Sequence, residues 1–416
     1  MDRYEDKFNS SIQNSFFHKL SAEQQEFIRS KAREYKFSFQ EIKQIIDIAR
    51  DLEMWGEKNI IEIFPEHRQK KVVFSRLVKE YENIRKKPNS YENFILKNRR
   101  EEQKFNFNTE AKEGFGLGLC PVASEKTRCC NLLTLDAVES CGFDCSYCSI
   151  QSFYNQNTIT FDSNFAKKLK NLTLDQNKTY HIGTGQSSDS LLWGNREGVL
   201  DALFEFARTN PNVILEFKTK SDNIKYILEN EVPKNILCTW SLNTDTIIKN
   251  EEHLTASLDE RIGAARKVAD KGVKVGFHFH PIVEYENYLS EYETLYRRLI
   301  GEFRSEEVAL VSFGTLTFIK PVIKKLRDRE FKSKITQMPF VDAGGKSSYP
   351  QETKIEMFKH AYNSFKDWHN DIFFYLCMEE HGMWKEAFGY QYSTNNDFER
   401  AMLGAYTKKL GMEFLI

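Results

Sequence analysis

From Leu132 onward the sequence alternates between apolar, β-rich runs and amphipathic stretches with helical spacing. The apolar runs are residues 132–138, 179–184, 213–219, 236–242, 273–282 and 308–318. The helical stretches lie near 164–172, 197–208, 221–229, 257–271 and 289–303. Strands that are separated by helices pair in parallel, because each helix returns the chain to the same end of the sheet. Six such units predict an α/β fold, an open, partial (β/α)6 barrel with its active site at the carboxyl ends of the strands.

Three cysteines follow the first apolar run in a C-x3-C-x2-C spacing: Cys141, Cys145 and Cys148. A four-iron cluster has four corners that each take a thiolate, so three local cysteines leave one iron free to bind a substrate or cofactor. The alternative is zinc, but a structural zinc site takes four ligands, usually in two separated pairs. No histidine or fourth cysteine follows closely. The spacing therefore predicts a [4Fe–4S] cluster on these three residues.

The cysteine spacing resembles that of the radical S-adenosylmethionine (SAM) enzymes. In those enzymes the open iron binds SAM, and reductive cleavage of SAM gives a 5′-deoxyadenosyl radical. SAM is therefore the second cofactor that the resemblance implies.

The composition describes a soluble enzyme in a reducing compartment. The 416 residues are 40% hydrophobic and 29% charged, and the net charge of −1 excludes a globally basic nucleic-acid binder. There is no run of 18 apolar residues and the first residues are polar, so we expect a cytoplasmic protein with no membrane partner. In that compartment the eight cysteines are metal ligands, redox groups or core thiols rather than disulfides.

The chain is expected to have three parts. Residues 1–110 form an N-terminal helical and basic region, residues 111–325 the barrel with its cluster loop, and residues 326–416 an α/β addition packed on the barrel. Capping boxes at Ser21 and Ser38 predict two N-terminal helices, either a DNA-reading pair or a helical lid. Residues 68–104 carry twelve Lys/Arg against five Glu, which suits phosphate contacts or a solvated helical face. The Gly114–Gly118 stretch is interpreted as a flexible turn.

Polar residues stand at the predicted carboxyl ends of successive strands. Gly183, Thr184 and Gly185 end the second strand and let the backbone approach a ligand closely. Ser188 follows them, and Lys220 and Ser241 end the third and fourth strands. The fifth strand ends in residues 276–282, with two histidines. Together they form a plausible pocket lining.

These stretches resemble the spore photoproduct lyase family of radical SAM enzymes. The matching segments are the cysteine loop with Tyr147 and Ile150-Gln151-Ser152, Ser188-Asp189, residues 217–220, Ser241-Leu242-Asn243, residues 257–282, residues 318–321 and Gly345-Lys346. The resemblance covers roughly residues 130 to 350, with a looser match across 57–110. It implies a radical SAM lyase that repairs a UV-induced thymine lesion in DNA and takes electrons from a donor such as flavodoxin or ferredoxin. It also implies that Lys220 and Ser241 hold SAM and that Tyr147 is a catalytic residue beside it.

The chain departs from the family at the position of the hydrogen donor. Gln186 stands where the family's lyases have a cysteine that returns a hydrogen atom to the product radical, so the chain is a divergent member. Ser149 and Thr317 replace an expected tyrosine and arginine. The extra thiols of Cys120, Cys129 and Cys130 are alternative donors, ligands of a second metal or structural residues. The alternatives for function are a radical SAM enzyme acting on RNA, a peptide or a metabolite, and a non-catalytic Fe–S DNA-binding protein.

Overall fold

The computed structural model describes residues 3–94, 104–114, 116–120, 127–154 and 157–415. They form two compact units. One contains the described residues of 1–101, 284–286 and 317–349, and the other those of 102–283, 287–316 and 350–416. The three-part division at residues 110 and 325 stays a prediction. Basic residues 97, 99 and 100 lie outside the described residues.

The larger unit is built on a curled sheet of eight strands that follow one another in chain order. They are β1 (Leu117–Leu119), β2 (Leu133–Leu135), β3 (Tyr180–Thr184), β4 (Val213–Thr219), β5 (Ile236–Ser241), β6 (Lys274–Ile282), β7 (Val308–Thr315) and β8 (Phe373–Leu376). Strands β2 to β8 are parallel, and β1 is antiparallel to β2. The prediction of an α/β half-barrel is confirmed, because each of the six apolar runs contains one of the strands β2 to β7.

Helices connect the strands as the alternation predicts. Those of the larger unit are Phe165–Lys170, Val199–Thr209, Lys225–Glu229, Asp245–Glu251, Leu258–Asp270, Tyr288–Glu302, Gln351–Ser364, His381–Phe388 and Asn395–Leu410. Short 3-10 turns occur at Ile150–Ser152, Arg196–Gly198, Ser305–Glu307 and Lys366–Trp368. The capping box at Ser257 begins the helix Leu258–Asp270, where its side chain and that of Glu260 satisfy each other's backbone N–H groups. Within the described residues, no helix is both long and apolar enough to cross a membrane.

The glycine-rich stretch contains a strand where a turn was expected, so that prediction was wrong. Strand β1 lies at the sheet edge, and the ladder continues beyond it as Cys120 N donates to Leu132 O and Asp136 N to Gly116 O. At Gly116 a Cβ would lie 2.8 Å from the Asp136 carbonyl oxygen. The glycine is therefore explained by close approach of two backbones.

Two small sheets lie around the cysteine loop. One places Thr158–Asp162 between Asn106–Glu110 and Val138–Glu139. In the other, Asp144–Cys145 pairs antiparallel with Glu252–His253, so that Glu252 lies opposite Cys145. The loop is thereby tied to the segment that follows the helix Asp245–Glu251.

The smaller unit is mainly helical. Its helices are Arg3–Ile12, Ala22–Tyr35, Phe39–Trp55, Ile60–Ile63, Lys70–Arg85 and Lys320–Asp328, with a 3-10 turn at Phe17–Lys19 and short strands at Thr317–Phe318, Val341–Asp342 and Ser347–Ser348. The capping boxes at Ser21 and Ser38 are present. The apolar stripe of the third helix is buried in this unit's core. A partly buried ion pair joins Arg327 to Asp51, which also accepts a hydrogen bond from Tyr81.

Candidate active site

The cysteine loop follows the carboxyl end of β2 and lines a small recess. The lining residues are Ser140, Cys141, Phe143, Cys145, Cys148, Ile150 and Gln151. Gln151 fixes the loop because its side-chain amide donates to the Ser146 carbonyl, 2.9 Å away. A Cβ on Gly142 would lie 2.7 Å from the Trp193 ring, so the loop backbone rests directly on that indole. The three predicted ligands therefore meet at one recess.

The thiol groups of the loop suit a metal centre. Burial raises the pKa of Cys141 and Cys145, and the neighbouring carboxylates and thiols raise it further. A bound cation reverses that effect, since a coordinating thiol is deprotonated. Among the described residues, no group of three His, Cys, Asp or Glu side chains is close enough to hold a single metal ion. A four-iron cluster spreads its thiolates over separate irons, and the donor set fits that arrangement.

Glu252 is the centre of the charged network beside the loop. Its side chain is fully buried, and the Tyr147 hydroxyl donates to Oε1. Lys220 Nζ lies 3.7 Å from Oε1, and an Arg261 amino group lies 2.7 Å from Oε2. Burial alone would raise the pKa of Glu252, but the two cations outweigh it and lower the pKa to about 2. Arg261 also donates to the Ser241 carbonyl, 2.9 Å away, so three predicted site residues share this network.

The loop after β3 is held by Asp189. This buried carboxylate accepts hydrogen bonds from the backbone N–H groups of Leu191 and Leu192 and from the Lys220 N–H at 2.8 Å. Ser188 accepts from the Trp193 indole N–H at 3.3 Å. The structure therefore brings the end of β3 and the end of β4 to the same edge of the sheet.

The glycine turn is tightly packed. Gly185 has a φ of +78°, and a Cβ there would lie 2.6 Å from Ser190 Oγ. Thr184 Oγ1 lies 2.8 Å from the same hydroxyl, and at Gly183 a Cβ would lie 3.3 Å from the Leu132 side chain. Only glycine meets both requirements at position 185. The roles of Gly183, Thr184, Gly185, Ser188, Lys220, Ser241 and Tyr147 toward a cofactor stay predictions.

A second group of thiols lies in the same unit. The Cys130 side chain hydrogen-bonds to Cys129, which lowers the pKa of Cys129 to about 6, while that contact and burial raise the pKa of Cys130. Arg128 N donates to the Glu379 carbonyl, so this segment contacts the chain that leaves the carboxyl end of β8. Cys377 is part of the same electrostatic neighbourhood and interacts with Lys218.

Sequence reasoning missed Glu252, Arg261, Asp189 as an anchor, and Cys377. Glu252 and Arg261 lie outside the ends of the predicted strands, where the polar residues of the predicted pocket stand. One signal was present: Arg261 follows the Ser257 capping box, which fixes the start of its helix. Cys377 directly follows β8, a strand that the sequence analysis did not predict.

Comparison with known proteins agrees with this geometry. The family model described as "Spore photoproduct lyase" matches residues 95–339, more than half of the chain. The spore photoproduct lyase of Clostridium acetobutylicum (strain ATCC 824) is 25% identical over 224 residues, which is 52% of this chain and 65% of that protein. The Bacillus subtilis (strain 168) spore photoproduct lyase is 30% identical over 123 residues, 29% of this chain and 36% of that protein. The chain thus spans less than two thirds of the length of the curated relatives it matches.

A solved structure shows the same fold. A spore photoproduct lyase mutant with bound AdoMet and dinucleoside spore photoproduct aligns with a TM-score of 0.51 at 20% identity, covering 65% of this chain and 81% of that one. The fold and the recess define an α/β half-barrel with a three-cysteine loop at the carboxyl end of its first parallel strand. Within that class, the chain belongs to the spore photoproduct lyase family.

Proposed function

We propose that this chain is a radical SAM enzyme of the spore photoproduct lyase type that repairs a UV-induced pyrimidine lesion in DNA. The observation that carries the proposal is the recess lined by Cys141, Cys145 and Cys148 in a chain of this family. The substrate assignment rests on the relatives. They are named spore photoproduct lyases, and one was solved with the dinucleoside spore photoproduct. A lesion must leave the base stack to reach such a site.

The three thiolates would hold a [4Fe–4S] cluster, and SAM would bind beside it. When bound, these groups supply a 5′-deoxyadenosyl radical. Lys220 offers SAM a charge-assisted hydrogen bond, and the Gly183–Gly185 turn lets the backbone come close. Ser188 and Ser241 complete the pocket with hydroxyl groups.

Glu252 organises the residues that would face the cofactor. Its carboxylate holds the Tyr147 hydroxyl and the Lys220 ammonium, and Arg261 balances its charge. Tyr147, which lies between Cys145 and Cys148 in the loop, is thereby fixed in place. In this proposal Tyr147 acts in catalysis, and Glu252 and Arg261 are positioning residues.

An electron donor such as flavodoxin or ferredoxin would reduce the cluster. Cys141 and Cys148 are partly exposed, which leaves a route for an electron from outside the protein. The proposed compartment is the reducing cytoplasm, because free thiols and a cluster persist there.

The second candidate is a radical SAM enzyme of this fold with another substrate. The observation that favours it is Gln186, which has no S–H group to return a hydrogen atom. If repair does return one, the donor must be Cys129, Cys130, Tyr147, Cys120 or, from the structure, Cys377. Cys129→Ala and Cys130→Ala are each expected to give off-pathway products if that thiol is the donor.

The test is cleavage of SAM to 5′-deoxyadenosine by the anaerobically reconstituted protein, with and without UV-irradiated DNA. We expect roughly four irons per chain and cleavage that irradiated DNA stimulates. The Cys141→Ala, Cys145→Ala, Cys148→Ala triple variant is expected to lose both.

The outcomes separate the candidates. Cleavage that is independent of the lesion supports another substrate, and a cluster without cleavage supports a non-catalytic Fe–S DNA-binding protein. Full iron content in the triple variant would contradict the assignment of these three cysteines as cluster ligands.

A further inference from the structure

A network of hydrogen-bonded polar side chains runs across the inner face of the half-barrel. Glu216 on β4 lies at one end, with the Nε2 atoms of His181 and His278 each 2.7 Å from its carboxylate. His278 Nδ1 lies 2.5 Å from Ser312 Oγ, which is 2.9 Å from His280 Nε2. At the other end of this network, His280 Nδ1 lies 3.4 Å from Lys218 Nζ.

The direct hydrogen bonds of the Glu216 carboxylate all lie at its own end of this network. Thr239 Oγ1 donates to it at 2.7 Å, so its two oxygens have three hydrogen-bonding neighbours, all buried. Among the residues that the structure describes, no carboxylate oxygen lies within 4.0 Å of Lys218 Nζ. Lys220, the residue directly after β4, does have a carboxylate nearby, that of Glu252.

Among the described residues, Lys218 is therefore a cation on the inner face of the barrel that no carboxylate contacts directly. The groups around it are the imidazole of His280, the thiols of Cys120 and Cys377, the ammonium of Lys220 and, without direct contact, the Glu216 carboxylate. Burial lowers the pKa of His280 well below its usual value, so the ring is neutral and can accept a hydrogen bond from Lys218. An ammonium has three N–H donors, and this contact uses one.

Such a position suits an anion that arrives with the substrate. A desolvated ammonium gains most from an oxyanion, because charge-assisted hydrogen bonds are shorter and stronger than neutral ones. Lys218 lies on β4 and Lys220 directly follows the strand, and the two ammonium groups are close enough for the charge of Lys220 to act on Lys218. An anion at Lys218 would therefore sit beside the proposed SAM site.

We propose that Lys218, oriented by His280, binds the phosphodiester that joins the two nucleosides of the substrate. This rests on the proposed function, and it names the part of the lesion that the barrel recognises. Ser312, His278 and Glu216 are positioning residues, because they act on Lys218 through His280.

The test compares two thymidine dinucleotides, one with its phosphodiester and one with a neutral methylphosphonate in the same place. Binding of each to the reconstituted holoprotein with SAM is measured by calorimetry. We expect the wild type to bind the charged dinucleotide about tenfold more tightly, as one charge-assisted hydrogen bond allows. Lys218→Met should abolish this preference and Lys218→Arg should keep it. Lys225→Met, at an exposed lysine, is the matched control and should behave as the wild type.

Equal affinity of the wild type for the two dinucleotides overturns the proposal, as does failure to bind either. So does a Lys218→Met variant that weakens both equally. If that variant fails to fold, as judged by cluster absorbance, the wild-type preference and the Lys218→Arg variant decide the question.

Cleavage of SAM in the presence of irradiated dinucleotide distinguishes this failure from failure of the proposed function. A charge preference without stimulated cleavage keeps the subsite and rejects repair. Stimulated cleavage without a charge preference rejects the subsite alone.

Discussion

Two of the carboxylates that the half-barrel buries, Glu252 and Glu216, have surroundings that differ in charge. Glu252, beside the cysteine loop, is neutralised by the cations of Arg261 and Lys220. Glu216, on the inner face, is surrounded by two imidazoles and a hydroxyl. Both carboxylates titrate below their usual range, Glu252 through its cations and Glu216 through its two histidines, against the opposing effect of burial.

This difference in surroundings indicates which of the two regions can respond to a ligand. In the Glu252 region the Lys220 side chain remains 14% exposed, so a cofactor can share a cation that the protein has already oriented. In the Glu216 region the directly bonded partners are all buried, and the outer end of the network is Lys218. We therefore expect changes at Glu216 to alter stability and changes around Glu252 to alter cofactor binding as well.

The largest effect that tests this comparison is expected for Glu216→Gln. An amide cannot satisfy three donors around a buried site, so the free energy of unfolding should fall by about 3 kcal/mol. SAM affinity of the folded protein should not change. Chemical denaturation and calorimetry measure the two quantities, and Glu229→Gln on an exposed helix is the control. A Glu216→Gln protein with normal stability but weak SAM binding would reverse the roles of the two regions.

Lys220→Ala should have the opposite signature. The cluster content should remain, while SAM binding weakens by about 2 kcal/mol, or about 30-fold, through loss of a charge-assisted hydrogen bond. Iron analysis and equilibrium binding of SAM provide the measurements, with Lys225→Ala as the control. Unchanged SAM affinity would count against the assignment of Lys220.

The smallest effect concerns pH and lies in the Glu216 region. Burial lowers the pKa of His278 from 6.5 to about 4, so the unfolded chain binds a proton in this interval and the folded protein does not. The contribution of His278 is complete above the higher value and is lost as the pH falls. By about pH 5.5 the loss amounts to about 1.4 kcal/mol. Between neutral pH and about pH 5.5, the free energy of unfolding of His278→Gln should therefore fall by about 1.4 kcal/mol less than that of the wild type. If the two proteins lose the same free energy of unfolding over this interval, His278 is not the group responsible.

The sequence predicts the half-barrel well because its signals are local. The runs that contain β2 to β7 are continuous and apolar. A capping box such as that at Ser257 can be recognised from four consecutive residues. The helix Leu258–Asp270 consequently lies within the predicted range of 257–271. The edge strands β1 and β8 escaped notice because each is short, at three and four residues, and depends on a distant partner.

The charged network of the site was harder to predict for a related reason. Glu252 reaches the cysteine loop through a two-residue antiparallel pairing with a segment more than a hundred residues away in sequence. No periodicity marks such a pairing. The cysteine loop, in contrast, carries its whole donor set within eight residues, so its spacing alone predicts a common recess.

The contact between Gly142 and Trp193 gives the cysteine loop an optical reporter. The indole lies against the backbone of the loop that lines the recess, so a group bound there would lie near Trp193. An iron–sulfur cluster absorbs broadly in the near ultraviolet and visible range and would quench the emission of a neighbouring indole by energy transfer. Loading and loss of the proposed cluster would thus be followed in real time in the unlabelled protein, with Trp193→Phe identifying the signal that belongs to this site.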